Sequence, residues 1–169
     1  FFDKDPYKNY LGRITQGIGD FLSIGAVGYI GKEEIAREAQ SVTNQAYFVG
    51  PDATFTYSDK LEVNFQYIMR HDDQVLTGMS GNPVMSDLTT HGIMGEVVLS
   101  PQGDQSDWYA VGLYNYVNSD WDPADYHSVT LHAGYLLRRN LRLGLEYTQV
   151  ITDPSNTYGR LSFGFVAGI

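Results

Sequence analysis

A period of two in the run RRNLRLGLEYTQV (residues 138–150) constrains the fold more than any other feature of this chain. Four apolar side chains alternate with charged, small or polar ones: Leu141, Leu143, Leu145 and Tyr147 against Arg142, Gly144, Glu146 and Thr148. This period predicts a β-strand with one apolar and one polar face. In a soluble sheet the apolar face packs on a core, whereas in a sheet that crosses a membrane it contacts lipid. The alternation alone is compatible with both.

Similar segments recur along the whole chain and predict an all-β fold. Most have about 9 to 12 residues, close to the ~9–11 of a tilted membrane-spanning strand and longer than the ~5–6 of ordinary soluble strands. The Gly50–Pro51 pair predicts a bulge or a late loop boundary in the third segment. The nine predicted strands are Tyr10–Ile18, Phe21–Gly31, Ala46–Ser58, Leu61–Arg70, Gly92–Ser100, Trp108–Asn118, Tyr126–Leu137, Leu141–Thr152 and Tyr158–Ile169.

The connections between these strands alternate in length. The short ones are Gly19–Asp20, Asp59–Lys60, Pro101–Asp107 and Arg139–Asn140, built from residues that favour tight turns. The longer ones are KEEIAREAQSVTNQ, HDDQVLTGMSGNPVMSDLTTH, SDWDPAD and DPSNT. Short turns at one end and longer loops at the other are typical of an antiparallel up-and-down transmembrane β-barrel.

The longer connections carry three expectations of their own. KEEIAREAQ (Lys32–Gln40) is predicted to form a short helix or to be solvated. TGMSGNPVMSD (Thr77–Asp87) is predicted to be a mobile external loop, with entry into the barrel interior as the alternative. Acidic side chains predict a charged external rim, and they are Asp72, Asp73, Asp120, Asp122 and Asp125.

An odd number of strands conflicts with the even number of bacterial single-chain barrels. Counting back from the last strand also places the first strand's start outside, and the chain begins with Phe1 instead of Met. We therefore expect residues 1–169 to form a single β-barrel region that lacks N-terminal strands. A count lower by one would instead give a closed eight-stranded barrel, whose interior is filled by side chains.

Charged and polar side chains fall opposite the apolar rows and are candidates for lining the interior of such a barrel. They are Glu62, Arg70, Glu96, His132, Arg142, Glu146 and Arg160. Because Glu and Arg are balanced in this set, we expect no strong ion selectivity.

Composition excludes several classes of function. The net charge of −9 argues against a nucleic-acid surface, which needs clustered Lys and Arg. The absence of Cys excludes a disulfide framework, a thiolate metal site and c-type haem attachment by this chain. Neither RHDDQ (Arg70–Gln74) nor the Ser128 and His132 pair has the spacing for a metal or catalytic site. We expect no cofactor and no enzymatic activity.

The last strand resembles the C-terminal assembly signal of bacterial outer-membrane barrels. The matching positions in SFGFVAGI are Ser162, Gly164, Ala167 and Ile169, although that family usually ends in Phe or Trp. The resemblance implies an integral outer-membrane protein that is inserted by the barrel-assembly machinery and contacts lipid and lipopolysaccharide. In that setting the acidic rim has three alternative roles: to hold divalent cations that bridge lipopolysaccharide, to favour the entry of cations, or only to keep the loops soluble.

More narrowly, DKLEVNFQYIMRHDD and GYLLRRNLRLGLEYT resemble porin-type barrels, including those that sheath multihaem cytochromes. The resemblance implies passive diffusion of ions or small solutes, with a multihaem cytochrome or a homo-oligomer as possible partners. Two alternatives remain open: a small structural or adhesive membrane barrel, and a soluble lipocalin-like barrel that holds a ligand inside. The residues Leu141, Leu143 and Leu145 discriminate between them, because they face lipid in one case and the ligand in the other.

Overall fold

The computed structural model describes residues 7–37, 40–77, 84–138, 140–153 and 156–168. These residues form nine β-strands and two single 3₁₀ turns, Gly103–Gln105 and Asp122–Ala124, and the described part contains no α-helix. The strands are β1 (Tyr10–Ile18), β2 (Leu22–Arg37), β3 (Gln40–Tyr57), β4 (Leu61–Thr77), β5 (Val84–Leu99), β6 (Trp108–Ser119), β7 (Tyr126–Arg138), β8 (Leu141–Asp153) and β9 (Asn156–Ala167).

All nine strands belong to one sheet in chain order, and every neighbouring pair is antiparallel. The predicted all-β, up-and-down arrangement of nine strands is therefore confirmed. Strands β1 and β9 form the two edges of the sheet, and within the described residues they do not pair with each other. Each therefore has one row of backbone N–H and C=O groups outside the ladder.

Strands β2 to β5 are longer than predicted, with 16 to 18 residues each. The prediction of a short helix at Lys32–Gln40 is wrong for residues 32–37, which continue β2 and pair with β3, while Lys32, Glu33 and Glu34 are exposed. The prediction of a loop at Thr77–Asp87 is wrong at Thr77 and Val84–Asp87, which belong to strands, while residues 78–83 lie outside the described part. Cross-strand pairing has overridden the local preference of these polar segments.

The prediction of a bulge at Gly50–Pro51 is also wrong, because the register is the same on both sides of the pair. Val49 lies opposite Met69 and Asp52 opposite Gln66, with the β3–β4 pairing interrupted only in between. A Cβ on Gly50 would overlap the Tyr67 carbonyl and lie 2.9 Å from Ile68 Cα. Glycine is therefore required here so that the two backbones can approach.

The turns at one end of the sheet contact each other. Gly103 has a φ of +61°, and a Cβ there would overlap the carboxylate of Asp59 in the β3–β4 turn. The Ser58 hydroxyl donates to Asp59 Oδ1 at 2.9 Å, and this hydrogen bond lowers the pKa of Asp59 below its usual 3.8. The short connections are thus fixed by turn chemistry at this end.

The register assigns each strand residue to one of two faces. We call one the apolar face, and it carries Ile14, Ile24, Val49, Phe65, Val97, Tyr114, Leu131, Leu145 and Phe163. We call the other the polar face, and it carries Arg13, Asp52, Asn64, Glu96, Tyr109, Thr130, Glu146 and Ser162. The two faces are therefore continuous across all nine strands, although the polar face also carries apolar side chains such as Val111 and Leu113 on β6.

Burial on the two faces is the reverse of that in a water-soluble sheet. Among the described residues the buried side chains all lie on the polar face: Asn44, Asp72, Ser119, Ser128, Thr148 and Val150. On strands β2 to β8 every large exposed hydrophobic side chain lies on the apolar face. The described strands make extensive contacts only with their neighbours in the sheet, so no second layer explains the difference. Because no second layer covers the polar face, we infer from its greater burial that the sheet curves towards this face, which is then its concave side.

Candidate functional site

The concave polar face contains all seven side chains that the sequence predicted for a barrel interior. These are Glu62, Arg70, Glu96, His132, Arg142, Glu146 and Arg160. His132 lies directly opposite Glu146, and Glu146 directly opposite Ser162. The seven therefore share one surface that spans β4 to β9, and their role as lining residues stays a prediction.

A hydrogen-bonded row crosses β3, β4 and β5 on this face. The Thr54 hydroxyl donates to Asn64 Oδ1 at 2.7 Å. The Asn64 amide donates to Glu62 at 2.8 Å and to Glu96 at 3.0 Å. One side-chain amide thus holds two carboxylates close together without a cation, and the row presents negative charge on the polar face.

A second cluster lies further up β2, β3 and β4, and it corrects one prediction. Arg70 donates to both carboxylate oxygens of Asp72, at 2.7 and 2.8 Å. The Asn44 amide donates to Asp72 Oδ1 at 3.0 Å and to Glu33 at 3.3 Å. Asp72 is only 4% exposed, so it is not part of a solvated acidic rim. It is a buried acceptor that needs its three donors.

A third cluster, which we call the Tyr109 pocket, lies on β6 to β9. The Tyr109 hydroxyl lies 3.2 Å from His132 Nε2, and His132 Nδ1 lies 3.5 Å from Glu146 Oε2. The Arg142 guanidinium stands over the Tyr109 ring, 5.3 Å from its centroid. These side chains line a cavity of about 280 Å³ together with Gly144, Ser162, Phe163, Gly164, Phe165 and Val166.

Several residues of the polar face were not singled out by sequence reasoning, among them Tyr109 and the ion pair of Arg13 with Asp52. Tyr109 was missed because its strand has tyrosines on both faces, and only the register places it opposite Gly134. A Cβ on Gly134 would overlap the Tyr109 ring, so a glycine in the neighbouring strand was the available signal. The ion pair of Arg13 with Asp52, at 2.8 Å, joins strands that are two apart, and no local pattern could have indicated it.

The apolar face carries no charged side chain across its central band. On β4 this band runs from Leu61 to Met69, and the corresponding rows of all other strands contain only apolar or uncharged residues. Histidines mark one border of the band, each beside a tyrosine ring. The pairs are His71 with Tyr47, His91 with Tyr67 and His127 with Tyr116.

The candidate assembly signal is divided between the two faces. Ser162 and Gly164 lie on the polar face, opposite Glu146 and Gly144. Ala167 lies on the apolar face, opposite Leu141. Ile169 lies outside the described residues. Strand β9 is exposed along its described length, which leaves these positions accessible.

Two common kinds of site are not found within the described ranges. No cluster of three or more His, Cys, Asp or Glu side chains has a metal-binding arrangement there. No helix in those ranges is long and apolar enough to cross a membrane.

Neither a protein-family model nor a curated protein sequence matches the chain. The two faces of the sheet and the clusters of its polar face are therefore the features of the chain that bear on its function.

Proposed function

We propose that this chain forms part of an integral outer-membrane β-barrel through which ions or small solutes diffuse passively. One observation carries the proposal: the apolar face of the sheet is its more exposed side, and the polar face is its more buried side. Large apolar side chains in contact with the surroundings on almost every strand favour a lipid environment over water. A polar concave surface favours a water-filled interior.

The dimensions of the apolar face support this environment. Leu61 to Met69 covers eight residue steps, or about 26 Å along the strand at ~3.3 Å per residue. At a tilt of about 40° this gives a height of about 20 Å, close to the ~25 Å apolar band of outer-membrane barrels. Above the band the apolar face changes to Lys32 and Glu34 on β2, as expected where a strand leaves the membrane.

The edges of the sheet support a barrel larger than nine strands. In hydrocarbon, the free backbone groups of β1 and β9 need partners. The two edge strands run in the same direction, because an even number of antiparallel steps separates them. Purely antiparallel closure therefore requires an odd number of further strands, which gives an even total and leaves space for a channel.

The soluble alternative is disfavoured by the same observation. A lipocalin-like barrel needs an apolar interior and a polar exterior. Leu145 on the convex side is 50% exposed, whereas Ser128 and Thr148 on the concave side are 2% and 7% exposed. The small adhesive barrel and the cytochrome sheath stay alternatives, and haem absorbance in the purified native complex tests the latter.

Reconstitution into planar lipid bilayers tests the channel. We expect stepwise conductance in KCl and a weak ion preference. Glu96→Lys should shift the reversal potential in a KCl gradient towards anions, because Glu96 lies on the polar face. Glu34→Lys is the matched control, since Glu34 lies on the other face above the band, and it should cause no shift.

Membrane fractionation is the independent measurement. Protein found in the soluble fraction, with no conductance after reconstitution, would contradict the proposal. A reversal potential that moves equally in Glu96→Lys and Glu34→Lys would contradict the assignment of the polar face to the interior.

A further inference from the structure

We propose that the Tyr109 pocket binds the carboxylate of a small monocarboxylic solute with a flat apolar ring. This inference rests on the proposed function, because it assigns a solute class to the interior surface. The ligand group that the pocket offers is the Arg142 guanidinium. Arg13 and Arg70 each pair with an aspartate at 2.8 or 2.7 Å, whereas no carboxylate of the described residues lies within 4.0 Å of Arg142.

The position of Arg142 is preorganised by Tyr109. The Tyr109 ring lies against the backbone of Gly134, where no Cβ would fit, and Arg142 stands over the ring. The Tyr109 hydroxyl lies within hydrogen-bonding distance of His132 Nε2, at 3.2 Å, and His132 Nδ1 lies 3.5 Å from Glu146 Oε2. Gly134 and His132 hold the Tyr109 ring in place. The face of this ring positions the Arg142 guanidinium, whose N–H groups remain available to a carboxylate.

The rest of the pocket accommodates an apolar ring. Gly144 and Gly164 lie opposite each other and form a floor without side chains. A Cβ on Gly164 would meet no atom within 4 Å, so there is open space above it. Val166, on the same face as Gly164, contributes apolar surface beside this floor. A flat ring therefore fits better than a bulky polar group.

Glu146 restricts the charge of the solute. It lies four residues from Arg142 on the same strand, about 13 Å away along the backbone at ~3.3 Å per residue. A second carboxylate that extended towards Glu146 would meet a like charge. We therefore infer a preference for monocarboxylates over dicarboxylates.

Isothermal titration of the purified full-length protein in detergent tests the inference, with benzoate as the probe. Benzyl alcohol lacks the charge and acetate lacks the ring, so both should bind at least about tenfold more weakly than benzoate. Arg142→Gln should lower benzoate affinity by about tenfold or more. Arg138→Gln, which removes the same charge at the exposed end of β7, should leave it unchanged.

Equal affinity for benzoate and benzyl alcohol would overturn the proposal, as would unchanged benzoate affinity in Arg142→Gln. If Arg142→Gln does not fold, the unsubstituted protein provides the test. If a guanidinium binds the carboxylate of benzoate, NaCl should compete and lower the benzoate affinity. Binding in detergent does not require conductance. Failure of benzoate binding with normal KCl conductance therefore refutes only this inference, whereas loss of conductance refutes the channel.

Discussion

The substitution Phe65→Arg separates a lipid-facing from a water-facing apolar face. Phe65 lies in the middle of the Leu61–Met69 row and is 47% exposed, with the small residues Ala53 and Gly95 opposite it. Four residues, or about 13 Å of strand, separate it from either border of the band. An arginine side chain is too short to cover that distance, so its charge would remain in the hydrocarbon.

The expected magnitude follows from this depth. An arginine on the lipid face at the bilayer midplane destabilises a barrel by about 2–4 kcal/mol. That corresponds to a roughly 30- to 1,000-fold change in the equilibrium between folded and unfolded protein. If water surrounded the apolar face, a substitution at this half-exposed position would change the free energy of unfolding by only about 0.5 kcal/mol.

Urea unfolding in lipid vesicles measures the effect, with the heat-sensitive mobility of the folded barrel on gels as the readout. Phe65→Leu controls for the loss of the ring, and its difference from Phe65→Arg isolates the charge. Gln66→Arg places the same charge on the polar face one residue away, and we expect a change below about 1 kcal/mol. If Gln66→Arg destabilised the protein more than Phe65→Arg, the two faces would be assigned to the wrong environments.

Two further predictions concern the polar contacts outside the band. Asn44→Ala should lower the free energy of unfolding by about 1–3 kcal/mol, because it leaves Asp72 and the Gln74 N–H short of a partner. Asn118→Ala, at an exposed position, should change the free energy of unfolding by less than about 0.5 kcal/mol in the same urea titration. Equal effects of Asn44→Ala and Asn118→Ala would refute the role of burial. The lowered pKa of Asp59 stabilises the folded protein above the usual value of 3.8, and this contribution is lost as the pH falls through the lowered pKa. Asp59→Asn should therefore reduce the melting temperature near pH 7 but not near pH 2, with Asp20→Asn in another turn as the charge control; a loss of equal size at both pH values would contradict it.

The fold was predictable from the sequence where one face of a strand differs from the other. Leu141 to Thr148 alternates strictly, and the predicted start of β8 agrees with the structure. The upper part of β2, by contrast, was mistaken for a helix because Lys32, Glu33 and Glu34 do not alternate. Where both faces of a strand are polar, only pairing with the neighbouring strand determines that it is extended.

The candidate site was predictable only in part, for a related reason. The period of two within each strand was enough to assign Glu96 and Arg142 to the polar face, because the face on which a side chain lies depends only on its own strand. Which side chains contact each other depends on register, and register joins residues that are far apart in sequence. Tyr109 reaches Gly134 and His132 only because β6 and β7 pair as they do. The Arg142 position over that ring follows from a further pairing, that of β7 with β8.

The two halves of β2 and β3 are stabilised by different forces. Up to Ile30 and Tyr47, the contact of the apolar face with lipid in the proposed bilayer stabilises the strands. Beyond these residues the strands continue with the charged side chains of Lys32 and Glu34 on the same face. There the buried Asn44 ties β3 to Glu33 on β2 and to Asp72 on β4. A single-layer sheet in water is marginal without such bonds. The polar network therefore explains why these segments extend as strands beyond the band instead of forming loops.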